Sequence, residues 1–105
     1  MMVGIGCESR SNTGNGYNNA SGGDYALTFC LGYANAADGF NINTTQDEGS
    51  LVNCTSNGNT GAATDGASIA FSPHLIYNCI FSSNGNYGIN ASADSSATRI
   101  NYCDF

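Results

Sequence analysis

Lysine is absent from this 105-residue chain, and Arg10 and Arg99 are its only basic side chains besides a single histidine, His74. Eight acidic residues leave a formal net charge of −6. A surface of that sign has no electrostatic footprint for phosphates, so nucleic acid is not expected as a partner. Large apolar side chains are scarce too: Leu, Ile, Val and Phe total 18. Taken alone, that share points to disorder. Long hydrophobic runs are also missing. No stretch approaches the roughly 20 apolar residues of a membrane-spanning helix. Residues 1–7 lack the basic start and apolar run of a signal peptide. Neither membrane insertion nor export by that route is expected.

What is plentiful is Gly, Asn, Ser and Thr, 49 of the 105 residues, in a chain long enough for one domain. They are arranged periodically. Cysteines stand at 7, 30, 54, 79 and 103, at intervals of 23, 24, 25 and 24. Five residues after each of the first four comes an asparagine: Asn12, Asn35, Asn59 and Asn84. Three residues before each of the last four comes an aliphatic: Leu27, Leu51, Ile76 and Ile100. A glycine precedes a mostly apolar residue at Gly16-Tyr17, Gly39-Phe40, Gly66-Ala67 and Gly88-Ile89, provided the third unit carries about three extra residues near Thr60 to Ala63.

This period is too short for paired helices, and no unit keeps a 3.6-residue apolar rhythm. Short runs such as Ala26-Leu27-Thr28-Phe29-Cys30 and Leu75 to Phe81 read as strands, separated by residues that favour turns. The expected fold is therefore all-β: a single-stranded parallel β-helix of about four coils of some 24 residues. The coils are placed at about 4–26, 27–50, 51–75 and 76–99, with a fifth starting at 100–105. Residues one period apart then lie above one another. Inward Leu/Ile and Cys columns make apolar stacks, and an inward asparagine column can pass hydrogen bonds from amide to amide.

The unit Ile76-Tyr77-Asn78-Cys79-Ile80-Phe81-Ser82-Ser83-Asn84-Gly85-Asn86-Tyr87-Gly88-Ile89 resembles the coil pattern of right-handed parallel β-helices of the pectate-lyase-like group. The resemblance runs from about Gly4 to Phe105. It implies a right-handed coil and a function within a group that includes polysaccharide lyases, glycoside hydrolases, phage tailspikes and adhesins. Thr64-Asp65-Gly66 is similar to part of the Asn-Thr-Asp motif of polygalacturonase-like hydrolases, with Ala63 in place of the asparagine. Their paired-aspartate, His-Gly and Arg-Ile-Lys motifs have no match, since Arg99-Ile100-Asn101 lacks the lysine. The arginine base and clustered calcium-binding acids of pectate lyases have no counterpart within one coil.

Candidate chemistry is sparse. Stacked cysteines point their Cβ atoms the same way and suit disulfides poorly, so a reduced ladder of small hydrophobes is expected. Without a short-spaced Cys/His cluster, no zinc site is expected. Ser72-Pro73-His74 reads as a turn into the next strand. Asp38-Gly39 and Asp65-Gly66 align in adjacent coils, with Asn15 and Tyr87 as their columnar neighbours. Turn aspartates are the plain reading. As a pair they could contact a sugar, share a proton in glycoside cleavage or hold calcium; apart from that calcium no cofactor is expected. Asp38, Asp65 and an exposed Tyr87 are accordingly the candidate substrate-binding residues. Asp47-Glu48 is a second acidic spot, read as a solvated turn.

The expected function is a non-catalytic module forming a rigid shaft or polysaccharide-recognising surface of a larger secreted, cell-surface or phage tail protein. The alternatives are a polysaccharide lyase or glycoside hydrolase, and a self-assembling solenoid. No capping helix is evident at either end, so end-to-end or lateral self-association, or neighbouring segments, are expected.

Overall fold

The computed structural model describes residues 1–19, 22–43, 48–71, 73–92 and 97–105. Each coil contributes three short strands. The first holds β1 (Met2–Ile5), β2 (Glu8–Arg10) and β3 (Tyr17–Asn19), and the second β4 (Tyr25–Thr28), β5 (Leu31–Tyr33) and β6 (Phe40–Asn43). The third holds β7 (Gly49–Val52), β8 (Thr55–Asn57) and β9 (Ala67–Ala70), and the fourth β10 (His74–Tyr77), β11 (Ile80–Ser82) and β12 (Ile89–Ala91); β13 (Arg99–Asn101) follows. Among the described residues there is no helix.

Strands at equivalent places pair in parallel and form three sheets: β1-β4-β7-β10-β13, β2-β5-β8-β11 and β3-β6-β9-β12. The chain is thus a β-solenoid of about four turns. Register follows the sequence period. Gly4, Leu27, Leu51, Ile76 and Ile100 form one row of the first sheet. In the third sheet Phe40 pairs with Ala67, 27 residues on, and Ala67 with Ile89, 22 residues on. The three extra residues of the third coil therefore lie between its second and third strands, as the alignment of the glycine column requires.

Two corners of each coil are made by one residue of left-handed backbone. Gly6, Phe29, Asn53, Asn78 and Tyr102, with φ of 51–62°, each stand directly before a column cysteine. Ser11, Ala34, Gly58 and Ser83, with φ of 52–62°, each stand directly before a column asparagine. Such a residue turns the strand sharply and redirects the next side chain inward. Residues other than glycine adopt this conformation at a cost of about 1–2 kcal/mol, which the ladders on either side must offset.

The core is a narrow stack. Leu27, Leu51 and Ile76 fill the first sheet's inner face; Cys30, Cys54 and Cys79 line the first corner; Phe40, Ala67, Ile42 and Ile69 fill the third sheet's inner face. At about 25 cal/mol per Å² of buried apolar surface, stacking like on like lets few large residues drive folding. The polar stack is continuous as well. Asn35 Nδ2 donates to Asn59 Oδ1 at 3.0 Å, and Asn59 Nδ2 to Asn84 Oδ1 at 2.8 Å. At the ladder's edge the glycine column leaves no room for side chains: a β-carbon on Gly16 would lie 2.7 Å from Asn35 Nδ2.

His74 departs from the expected turn. It is the first residue of β10, 3 % exposed, with its ring in the core. Its inward place follows from register, since it pairs with Gly49, whose own partner is Tyr25.

Candidate functional site

Asp38, Asp65 and Tyr87 come together at the approach to the third sheet, in one column headed by Asn15. Every link in that column is a side-chain oxygen accepting the backbone N–H of the next coil. Asn15 Oδ1 accepts from Asp38 N at 3.0 Å, Asp38 Oδ1 from Asp65 N at 2.8 Å, and Asp65 Oδ1 from Tyr87 N at 3.2 Å. Asp65 also accepts from Asn86 Nδ2 at 3.1 Å and, on its other oxygen, from Asn90 Nδ2 at 2.8 Å. Asp65 is 3 % exposed. Burial raises the Asp38 carboxyl above its ordinary value, and the hydrogen bond from Asp65 N–H opposes that rise.

This geometry makes the two aspartates props that hold successive coils in register. Charge-assisted hydrogen bonds of this kind contribute roughly 1.5–3 kcal/mol each. The Tyr87 ring, 58 % exposed, ends the column in solvent. Beside the column, outward positions of the third sheet carry Asn18, Asn41, Ser68 and Asn90 in register. Asn15 Nδ2 donates to Asn18 Oδ1 at 3.4 Å, and Asn90 is tied to Asp65. The result is a strip of amides and a hydroxyl running along the solenoid axis, with an exposed aromatic ring at one end.

A second concavity lies where the chain enters the first sheet. It encloses about 570 Å³ and is lined chiefly by Asp24, Glu48, Pro73, His74, Leu75 and Arg99. Glu48 N–H donates to Asp24 Oδ1 at 3.3 Å, the same coil-to-coil link as in the aspartate column. Behind the lining, His74 Nδ1 is 3.3 Å from Tyr25 Oη, and His74 Nε2 is 3.4 Å from the Ala70 carbonyl. Burial lowers the His74 pKa and raises that of Tyr25. The sequence reading missed this cleft because Asp24, Glu48 and Pro73 share a column but no residue type, and Arg99 joins them from a later coil. Glu48 belongs to the cleft, while Asp47 lies outside the described residues.

Among the described residues no three His, Cys, Asp or Glu side chains converge as a metal site would require. None of the described residues forms a helix long and apolar enough to cross a membrane. Comparison with protein-family models, curated proteins and solved structures gave no match.

Proposed function

We propose that the chain is a non-catalytic β-solenoid module of a larger secreted, cell-surface or virion-associated protein, and that its third sheet presents a polysaccharide-recognising face. The observation that carries this reading is the division of labour in the aspartate column. Asp38 and Asp65 are engaged by backbone amides of the neighbouring coil, while the amide strip and the Tyr87 ring face solvent. Amides supply paired donors and acceptors for sugar hydroxyls. An exposed tyrosine supplies an apolar face with a polar tip. The resemblance of the coil unit to the pectate-lyase-like group supports the same class of ligand.

The test is incubation of the purified chain with acidic and neutral polysaccharides, with and without calcium, recording both binding and newly formed chain ends. Binding without cleavage, weakened in Tyr87→Ala, is the expected result. A lyase or hydrolase is the second reading, favoured by the cleft that sets Arg99 near Asp24 and Glu48. New chain ends that disappear in Arg99→Ala or Glu48→Gln would establish it in place of the first.

A further inference from the structure

The cysteine column is the largest set of reactive side chains that the carbohydrate face does not use. All five cysteines are free. Cys30, Cys54 and Cys79 are buried, Cys103 is partly covered, and Cys7 opens to solvent. They are vertical neighbours: the amides of Leu31, Thr55, Ile80 and Asp104 donate to the carbonyls of Cys7, Cys30, Cys54 and Cys79 at 2.8, 2.9, 3.0 and 2.9 Å. The sulfurs follow. A β-carbon built on Gly4 would lie 3.3 Å from Cys30 Sγ and 3.5 Å from Cys7 Sγ. Cys54 N–H donates to Cys79 Sγ at 3.4 Å, and the Cys54 and Cys79 thiols each reach up to a carbonyl of the preceding coil, Leu27 O at 3.3 Å and Leu51 O at 3.4 Å.

Stacked strands repeat at about 4.8 Å. A disulfide needs sulfurs about 2.05 Å apart with the two Cβ atoms turned roughly 90° about the S–S bond, which column neighbours whose Cβ atoms point the same way suit poorly. Two metal–sulfur bonds of about 2.3 Å laid end to end span nearly the strand spacing. A linear thiolate–metal–thiolate unit therefore fits between coils without moving them. Zinc is unsuited, because it takes four ligands in tetrahedral geometry. Thiolates select soft ions, of which Cu(I) accepts two-coordinate ligation.

We propose that vertical neighbours in the cysteine column form two-coordinate sites for Cu(I). Each site forms two copper–sulfur bonds as two thiols release their protons to solvent, with no change in oxidation state. Two neutral thiols and a monocation thus give a unit carrying one negative charge. That charge is least costly beside water, so the Cys7–Cys30 pair fills first.

The test is anaerobic titration of the reduced full chain with Cu(I), with Ag(I) as a redox-inert parallel, read by native mass spectrometry, proton release and X-ray absorption. Two variants keep three thiols each. Cys7→Ala/Cys103→Ala leaves three consecutive thiols and is expected to hold one ion between two sulfurs. Cys30→Ala/Cys79→Ala leaves no vertical neighbours, and is expected to bind about 10²–10⁴-fold more weakly, having lost the second ligand held at high effective concentration. Equal affinity in the two variants overturns the proposal, as do three or more sulfur ligands per ion in the unmodified chain. Should the alternating variant fail to fold, the unmodified chain decides. Ions held between stacked thiols raise its Tm, whereas ions taken up by thiols of the unfolded chain lower it.

Discussion

Tyr25 and His74 are 49 residues and two coils apart, yet their polar atoms meet at 3.3 Å because Gly49 stands between them without a side chain. The Tyr25 ring occupies the space that a Gly49 β-carbon would take. Gly49→Ala should therefore destabilise the fold by about 1–3 kcal/mol through overpacking. Urea denaturation measures this, and Tyr25→Ala in the same chain should remove most of the penalty that Gly49→Ala adds.

The buried ring also sets a pH dependence. Burial holds the His74 pKa below its ordinary value of 6.5, so the unfolded chain binds a proton that the folded chain rejects. Stability is then flat above about pH 6.5 and falls as pH drops toward the folded pKa, by at most about 1.4 kcal/mol per pH unit. Asp38 acts in the opposite sense at lower pH, since its raised pKa makes the folded state the better proton acceptor there. Asp24, Glu48 and Arg99 line the same cleft and face the ring, so the comparison is with His74→Phe, which keeps them in place and whose curve should flatten below about pH 6.5.

Asn59 serves both neighbouring coils. Its Oδ1 accepts from Asn35 N and Nδ2, and its Nδ2 donates to Asn84 Oδ1, Ser56 Oγ and the Gly32 carbonyl. Asn59→Leu removes the acceptor of the Asn35 backbone N–H and of one of its two Nδ2 hydrogens, the other staying on the Ser9 carbonyl, and takes away three further bonds of its own, so a loss of about 3 kcal/mol or more is expected. Thermal unfolding checks it, and an unchanged Tm would contradict the ladder's energetic role.

The aspartate column separates acceptor from charge. Asp65→Ala removes the acceptor of three hydrogen bonds and should cost about 2–3 kcal/mol. Asp38→Asn keeps an oxygen for Asp65 N–H and removes a partly buried charge, so its stability should stay within about 0.5 kcal/mol of the parent. Chemical denaturation of both variants tests the contrast.

The apolar, cysteine, asparagine and glycine columns were legible because parallel, in-register stacking turns a sequence period directly into spatial neighbours. Leu27, Leu51 and Ile76 needed only counting, and so did the three-residue excess before Ala67. The aspartate column was legible as a column, but its bonding to backbone amides was not, since carboxylates in a turn can face solvent equally well. The left-handed corner at Phe29, Asn53 and Tyr102 was hidden for a different reason. Those positions share a backbone angle imposed by the stack and no side-chain chemistry. His74 was misplaced because Pro73 suggests a turn, while the contact that buries the ring depends on a missing side chain 25 residues earlier.

Five dipeptides of this chain belong to the class in which chains age fastest: Asn15-Gly16, Asn57-Gly58, Asn84-Gly85, Asp38-Gly39 and Asp65-Gly66. Deamidation and isomerisation at such pairs begin when the glycine nitrogen attacks the preceding side-chain carbonyl. Here each of those nitrogens donates to a carbonyl of an adjacent coil: Gly16 to Asp38, Gly58 to Ser82, Gly85 to Asn59, Gly39 to Asp65 and Gly66 to Tyr87, at 2.8–3.1 Å. Coil stacking therefore protects the covalent chain itself, and chemical damage at these sites becomes a record of how long each coil has spent unwound.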